Sequence, residues 1–219
     1  MTRLLDILIA GIGLVILLPI MLLVAVAIVI DDRGPIFYGQ LRVGRYGQDF
    51  RILKFRSMRM GADKMSLITI GDRDPRVTRV GYYIRKYKLD ELPQLWNVLI
   101  GDMSLVGPRP EVRKYVDLYT EEQKQVLRVR PGITDYASIE YVDENRLLAA
   151  SQDPDKTYIE EIMPQKIALN MRYINHPTVG EYFRILFFNS KSNTTIIWDF
   201  LIFSNAKRPN RKFGRNKRR

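Results

Sequence analysis

Asp90 and Glu91 stand side by side in a stretch that is otherwise apolar and punctuated by proline, from Leu89 through Leu92-Pro93-Gln94-Leu95-Trp96 to Gly107-Pro108-Arg109-Pro110. Arg85, Lys86 and Lys88 precede the pair, and Arg109 follows it. Neighbouring carboxylates among cations could hold a metal ion and a polyanion together. The ordinary reading of an Asp-Glu pair at a helix start is a cap and a solvated acid. Two features argue for more. Pro108 and Pro110 stiffen the backbone around Arg109, which lowers the entropy lost in presenting one guanidinium, and that planar fork suits phosphate. The pair also follows an apolar segment of membrane length.

Other chemistries are removed by composition. The chain has no cysteine, so disulfides and thiolate metal sites are impossible. Its single histidine, His176, precedes Pro177 and reads as a loop or cap residue. Reaction chemistry therefore falls to carboxylates, Arg/Lys and hydroxyls. No GxxxxGK[ST], no GxGxxG after a strand and no HExxH is present. The net charge of +11 first suggests nucleic acid or anionic lipid. Its distribution weakens that suggestion: Lys207 to Arg219 holds eight Lys/Arg and no acid, leaving +3 on the other 206 residues. Such a tail is usually solvated, although near a membrane it could bind anionic lipid.

The elements that must position the acids follow from periodicity. Leu89, Leu92, Leu95, Trp96, Leu99 and Ile100 recur at three- and four-residue spacing, predicting a helix with Asp90 as N-cap, Pro93 in the first turn and Gly101 as the stop. Before it, Ile36-Phe37-Tyr38 and Phe50 to Arg56 flank a Gly44-Arg45-Tyr46-Gly47 turn, the pattern of a β-hairpin. Lys54 and Arg56 alternate there with Leu53 and Phe55, which by itself places the cations on a solvated strand face. Gly61 to Asp74 reads as a loop, and Thr78 to Tyr87 as a helix or extended arm. Glu111 to Arg130 is predicted as one amphipathic helix, Ser138 to Val142 as a strand, and Pro154 to Tyr173 as a helix begun again near Pro164. Glu181 to Phe188 and Thr194 to Phe203 are apolar and aromatic, fitting core or a membrane interface.

Ile7 to Ile30 carries no charge over 24 residues. A straight helix of that length reaches ~36 Å at the usual rise, enough for a ~30 Å hydrocarbon core. A single span is the ordinary reading. Pro19 divides the segment into two arms, so a helix–break–helix that enters and leaves by one face fits as well.

Lys54-Phe55-Arg56-Ser57-Met58, Asp74-Pro75-Arg76-Val77-Thr78, the block from Leu89 to Pro110 and Arg130-Pro131-Gly132-Ile133-Thr134, in this order, resemble the bacterial sugar transferase family, the monotopic phosphoglycosyl transferases. The match covers roughly Thr2 to Asp135. The resemblance implies an enzyme that transfers a sugar 1-phosphate from a UDP-sugar to undecaprenyl phosphate, releasing UMP and starting assembly of a bacterial glycan. It implies Asp90 as the nucleophile of an aspartyl-phosphosugar intermediate, Glu91 as a ligand of Mg²⁺ on the diphosphate, and Lys54, Arg85 and Arg109 as phosphate contacts. The expected fold is α/β mixed and mostly helical. Residues 1–33 would form a re-entrant membrane helix broken at Pro19, and residues 34–206 a cytosolic catalytic domain with a small β-hairpin region and amphipathic interfacial helices. Residues 207–219 would be a basic tail. Expected partners are the UDP-sugar donor, the undecaprenyl phosphate acceptor and membrane lipid, with no nucleic acid; a homodimer stays open. The expected location is the cytosolic face of the bacterial inner membrane. Residues Asp135 to Glu140 depart from the family's usual Gly-Leu-Ala-Gln-Val, so the donor sugar stays open. A membrane-anchored adaptor that binds lipid or nucleic acid through its tail is the alternative that lacks this chemistry.

Overall fold

The computed structural model describes residues 2–62, 74–141 and 143–189. It is a mostly helical α/β mixed fold with two small two-stranded sheets. The apolar segment forms one helix, α1 (Thr2–Asp31), with Pro19 inside it. The predicted division into two arms is thus a single helical element. Pro19 removes one backbone hydrogen bond, while Leu14, Leu17 and Met21 around it stay packed on the body and hold the helical path.

One stripe of α1 is buried: Ala10, Leu17 and Val24 recur every seven residues, and Ile28 follows four later. Leu4, Leu8, Ile12, Val15, Leu22, Leu23, Val26 and Ile30 on the other faces are exposed. By length and composition α1 could cross a bilayer. Both of its ends, however, are tied to the same body. At the start, Arg3 donates to the carbonyls of Val98 (2.6 Å) and Leu99 (3.0 Å). The buried Asp6 carboxylate accepts from Ser104 Oγ (2.8 Å), Leu105 N (3.0 Å) and Tyr182 Oη (2.8 Å). At the end, Asp31 accepts from Val80 N (2.8 Å), and Asp32 pairs with the buried Arg56. Arg56 is therefore a structural clamp on the end of α1, not a solvated strand cation. Asp6→Ala removes all three hydrogen bonds to a buried charge, so it should cost about 3 kcal/mol or more, read as a lower melting temperature in detergent. Asp6→Asn, which keeps an acceptor oxygen, should lose less.

β1 (Phe37–Val43) and β2 (Asp49–Phe55) form the predicted antiparallel hairpin, with Tyr38 opposite Lys54 and Phe37 stacked on Phe55. A short 3-10 turn, Arg45–Gly47, joins them. α2 (Arg79–Lys86) is capped by Thr78, whose hydroxyl accepts from Gly81 N. α3 (Gln94–Ile100) ends at Gly101, whose left-handed φ of 102° suits glycine. β3 (Ser104–Val106) and β4 (Gly132–Thr134) pair in parallel.

The long helix predicted over residues 111–130 is instead α4 (Arg113–Val116) and a 3-10 turn over Gln123–Arg128. Thr120 and Gln123 exchange side-chain hydrogen bonds with each other's backbone N–H, a capping box that restarts the chain. Where the sequence predicts a strand from residue 138, Ser138 to Glu140 instead belong to α5 (Tyr136–Glu140), because the Asp135 side chain caps Ser138 N at 2.6 Å; Val142 lies outside the described residues. Beyond α6 (Glu144–Ala149) come α7 (Pro154–Thr157), a π-turn over Tyr158–Ile162 and α8 (Met163–Asn175), with Pro164 in the first turn of α8 as expected. α9 (Val179–Asn189) closes the described chain and sends Tyr182 and Ile185 into the core shared by α1, α3 and β3. Most of the predicted loop at residues 61–74, the apolar run Thr194 to Phe203 and the basic tail lie outside the described residues.

Candidate active site

Asp90 and Glu91 occupy a 3-10 turn, Leu89–Glu91, wedged between α2 and α3. Lys88 just before it has φ 55°, a left-handed conformation that a non-glycine residue adopts at a cost. That turn reverses the chain and delivers both acids inward. The N-cap position of α3 is Pro93, so Asp90 does not cap the helix as its position predicted. Its carboxylate is left for other use. Leu89 and Leu92, on either side of the acids, pack against a cluster in which Val24 and Ile28 of α1 meet Phe55 of β2 and Ile84 of α2. The acids therefore lie beside the apolar helix.

Asn97, buried in α3, fixes the helix to the hairpin. Its Oδ1 accepts from Leu53 N (2.8 Å), and its Nδ2 donates to Arg51 O (2.9 Å). This holds β2 where Lys54 Nζ reaches Glu91 Oε1 at 3.2 Å. Arg109 comes from the opposite side. Gly107 N donates to Thr134 O (3.0 Å), and Gly132 N donates to Pro108 O (2.9 Å). A Cβ on Gly132 would stand 2.1 Å from Gly107 N, so only glycine allows this approach. Asp135 completes the turn: its buried carboxylate accepts from Arg109 N (2.9 Å) and Asn170 Nδ2 (2.8 Å). Arg42 Nη1 supports it from β1 through Pro110 O (3.2 Å) and Glu111 Oε1 (3.3 Å). So braced, the Arg109 guanidinium grips Glu91 with Nη2 on Oε1 and Nη1 on Oε2.

The two acids thus have opposite circumstances. Burial pushes the Asp90 carboxyl up, the Glu91 charge adds to this, and Lys54, Arg85 and Lys88 offset only part. Among the described residues nothing hydrogen-bonds the Asp90 side chain. Burial also opposes charge on Glu91, but Arg109, Lys54 and Lys88 together outweigh it and hold its carboxyl well below the usual range. Glu91 in turn pushes the Arg109 guanidinium up, and burial lowers Lys54. Of the five residues singled out in the sequence, Lys54, Asp90, Glu91 and Arg109 meet in one cluster. Arg85, on the last turn of α2, reaches Asp90 through its field. Lys54 and Arg109 bind Glu91 directly, a pairing that sequence order conceals. Arg42, Asn97 and Asp135 were missed as supports. Buried amides and acids at helical spacing from the pair were the only signal for Asn97, and the glycine-bearing Pro131-Gly132-Ile133-Thr134 run was the signal for the strand leading to Asp135.

The bacterial sugar transferase family model matches residues 1–194. The chain belongs to the bacterial sugar transferase family. Among its relatives in the family, the UDP-N-acetylgalactosamine-undecaprenyl-phosphate N-acetylgalactosaminephosphotransferase of Aeromonas hydrophila is 47% identical over 137 residues, 61% of this chain and 32% of that protein. The putative undecaprenyl-phosphate N-acetylgalactosaminyl 1-phosphate transferase of Bacillus subtilis is 45% identical over 120 residues, covering 55% of this chain and 67% of the relative. The UDP-glucose:undecaprenyl-phosphate glucose-1-phosphate transferase of Caulobacter vibrioides is 39% identical over 175 residues, 78% of this chain and 61% of the relative. The chain therefore spans about a third to two thirds of the curated family members it resembles.

Mg²⁺ was expected on Glu91. Among the described residues no three His, Cys, Asp or Glu side chains converge. Among the described residues a site built from protein carboxylates and imidazoles alone is therefore not available. Mg²⁺ commonly takes one or two carboxylates together with substrate phosphates, and the adjacent Asp90 and Glu91 supply that donor set.

Proposed function

We propose that the chain is a phosphoglycosyl transferase that moves a sugar 1-phosphate from a UDP-sugar to undecaprenyl phosphate, releasing UMP and leaving the sugar on a lipid diphosphate. The observation that carries this reading is the buried Asp90 carboxylate, without a hydrogen bond among the described residues, beside a glutamate gripped by two cations. Relatives named for the transfer of N-acetylgalactosamine phosphate or glucose phosphate agree with it.

Asp90 attacks the sugar-bearing phosphorus, and the bond from that phosphorus to the UMP oxygen breaks. The resulting aspartyl-phosphosugar is then attacked by a phosphate oxygen of the lipid, and the bond to Asp90 breaks. Two displacements let a soluble and a lipid-borne substrate use one site in turn. Lys54 and Arg109 exchange part of their hold on Glu91 for the diphosphate oxygens, and Arg85 adds positive field. Glu91 would help hold Mg²⁺ together with the substrate phosphates, and the chemistry Mg²⁺ would supply is to neutralise charge on the diphosphate and the departing UMP. Incubating the purified chain with undecaprenyl phosphate, Mg²⁺ and a panel of UDP-sugars should release UMP from at least one donor. Silence across the panel would overturn the reading.

Attachment of both ends of the continuous α1 helix to one body favours a helix held at one face of the bilayer, with that body at the cytosolic surface of the bacterial inner membrane. Because the chain has no cysteine, Thr2→Cys can be probed alone. An impermeant maleimide should label it in inverted vesicles and not in intact spheroplasts; the reverse result would mean a crossing helix.

A further inference from the structure

We propose that Gln94 is a positioning residue for Asp90, its side-chain amide held in reserve to take up the second carboxylate oxygen as Asp90 bonds to phosphorus and to stabilise the carboxylate again as it leaves. The inference rests on Asp90 being the nucleophile. Gln94 is 1% exposed, and among the described residues neither its Oε1 nor its Nε2 has a hydrogen-bond partner. A sealed, unpaired amide is costly to keep and rare in native proteins.

Its location says what it serves. Glu91, Gln94 and Asn97 recur every three residues, and the outer two both reach β2, Glu91 at Lys54 and Asn97 at Arg51 and Leu53. Gln94 lies between them on the same side. It also follows Asp90 by four residues, through Leu92 and Pro93 in right-handed helical conformation. Side chains so spaced lie about 5–6 Å apart at Cβ, within reach for an amide of this length. The orphaned amide and the unbonded carboxylate are therefore neighbours, both buried, one turn apart.

The chemistry fits both displacements. When one Asp90 oxygen forms its bond to phosphorus, the other becomes the carbonyl oxygen of an acyl phosphate and accepts from Gln94 Nε2. When the lipid phosphate displaces Asp90, the electron pair of the broken P–O bond returns to the carboxylate, and the same N–H offsets that charge.

Gln94→Met keeps the length and removes the amide. If Gln94 only filled space, this exchange would leave turnover intact. On the proposal, the full-length protein in detergent, assayed with a UDP-sugar it turns over, keeps or raises its melting temperature while kcat falls by about tenfold or more. The donor KM stays within about twofold, because the group acts on the reacting oxygen and not on ground-state binding. Gln94→Asn, whose amide is one methylene short, should fall between the two. Wild-type kcat in Gln94→Met, or a loss that tracks a lowered melting temperature in both variants, overturns the proposal. Asp90→Asn is assayed in parallel. Normal turnover there would defeat the nucleophile reading itself, whereas a dead Asp90→Asn beside an active Gln94→Met defeats only the role of Gln94.

Discussion

Asp90→Asn should abolish UMP release, by about 10⁴-fold or more relative to the wild type, the scale seen when a covalent nucleophile is removed. An amide oxygen attacks phosphorus poorly, and no other carboxylate in the cluster is free to substitute, because Glu91 is gripped by Arg109 and Lys54. The fold should not suffer. Asp90 is buried, burial disfavours its charge, and no hydrogen bond among the described residues compensates. A neutral side chain of the same shape relieves that penalty. The expected result is a protein with an equal or higher melting temperature and no activity, the usual cost of holding a reactive group in a destabilising setting. Intact-mass analysis after incubation with donor alone should find a phosphosugar adduct on the wild type and none on the variant. Normal turnover by a well-folded Asp90→Asn would mean that transfer proceeds in a single displacement.

What could be read from residues alone was local. Asp90-Glu91 stood out because acids are conspicuous among Leu, Pro and Trp, and the hairpin because a glycine-rich turn separated two alternating runs. The stop at Gly101 and the restart at Pro164 were legible for the same reason: each depends on one residue's own backbone. Failures came where a side chain several residues away decided the outcome. Ser138 to Val142 has the alternation of a strand, yet one cap from Asp135 makes Tyr136–Glu140 helical. Thr120 and Gln123 break an amphipathic pattern that periodicity reads as continuous. The site shows the same limit. Arg109 stood out by its proline-stiffened setting and Lys54 only through the family resemblance, but their joint grip on Glu91 depends on two sheets that lie far apart in the chain.

That arrangement also explains how a membrane segment and a soluble-looking body become one structure. Ala10 and Leu17 belong to the same core as Leu95 and Val98 of α3, and Asp6 and Arg3 bind the strand and helix that follow the acids. α1 is thus a wall of the site as well as an apolar surface. On the proposed reaction, a lipid phosphate would reach Asp90 from the side of the apolar cluster that Val24 and Ile28 of α1 share with Phe55 and Ile84, against which Leu89 and Leu92 pack.

Glu91→Gln is expected to move stability in the opposite direction from Asp90→Asn. The substitution leaves Lys54 and Arg109 facing one another without a counter-charge, and Arg42 adds repulsion to both. Breaking a fully buried pair in this way costs 3–5 kcal/mol in general, and with Arg109 one-third exposed solvent screens part of it, so about 2 kcal/mol is the expected loss. For a chain of this size that lowers the melting temperature by roughly 5 °C. Activity should fall about 10²-fold or more, since the group that sets the spacing of both cations, and that on the proposed reading would help hold Mg²⁺, is gone. Raising Mg²⁺ should recover part of the loss, whereas no concentration should restore Asp90→Asn. Adjacent acids of similar burial would show equal effects if both were structural. Opposite shifts in melting temperature, with only one loss relieved by Mg²⁺, follow from one being left free to react and the other being held by Arg109 and Lys54.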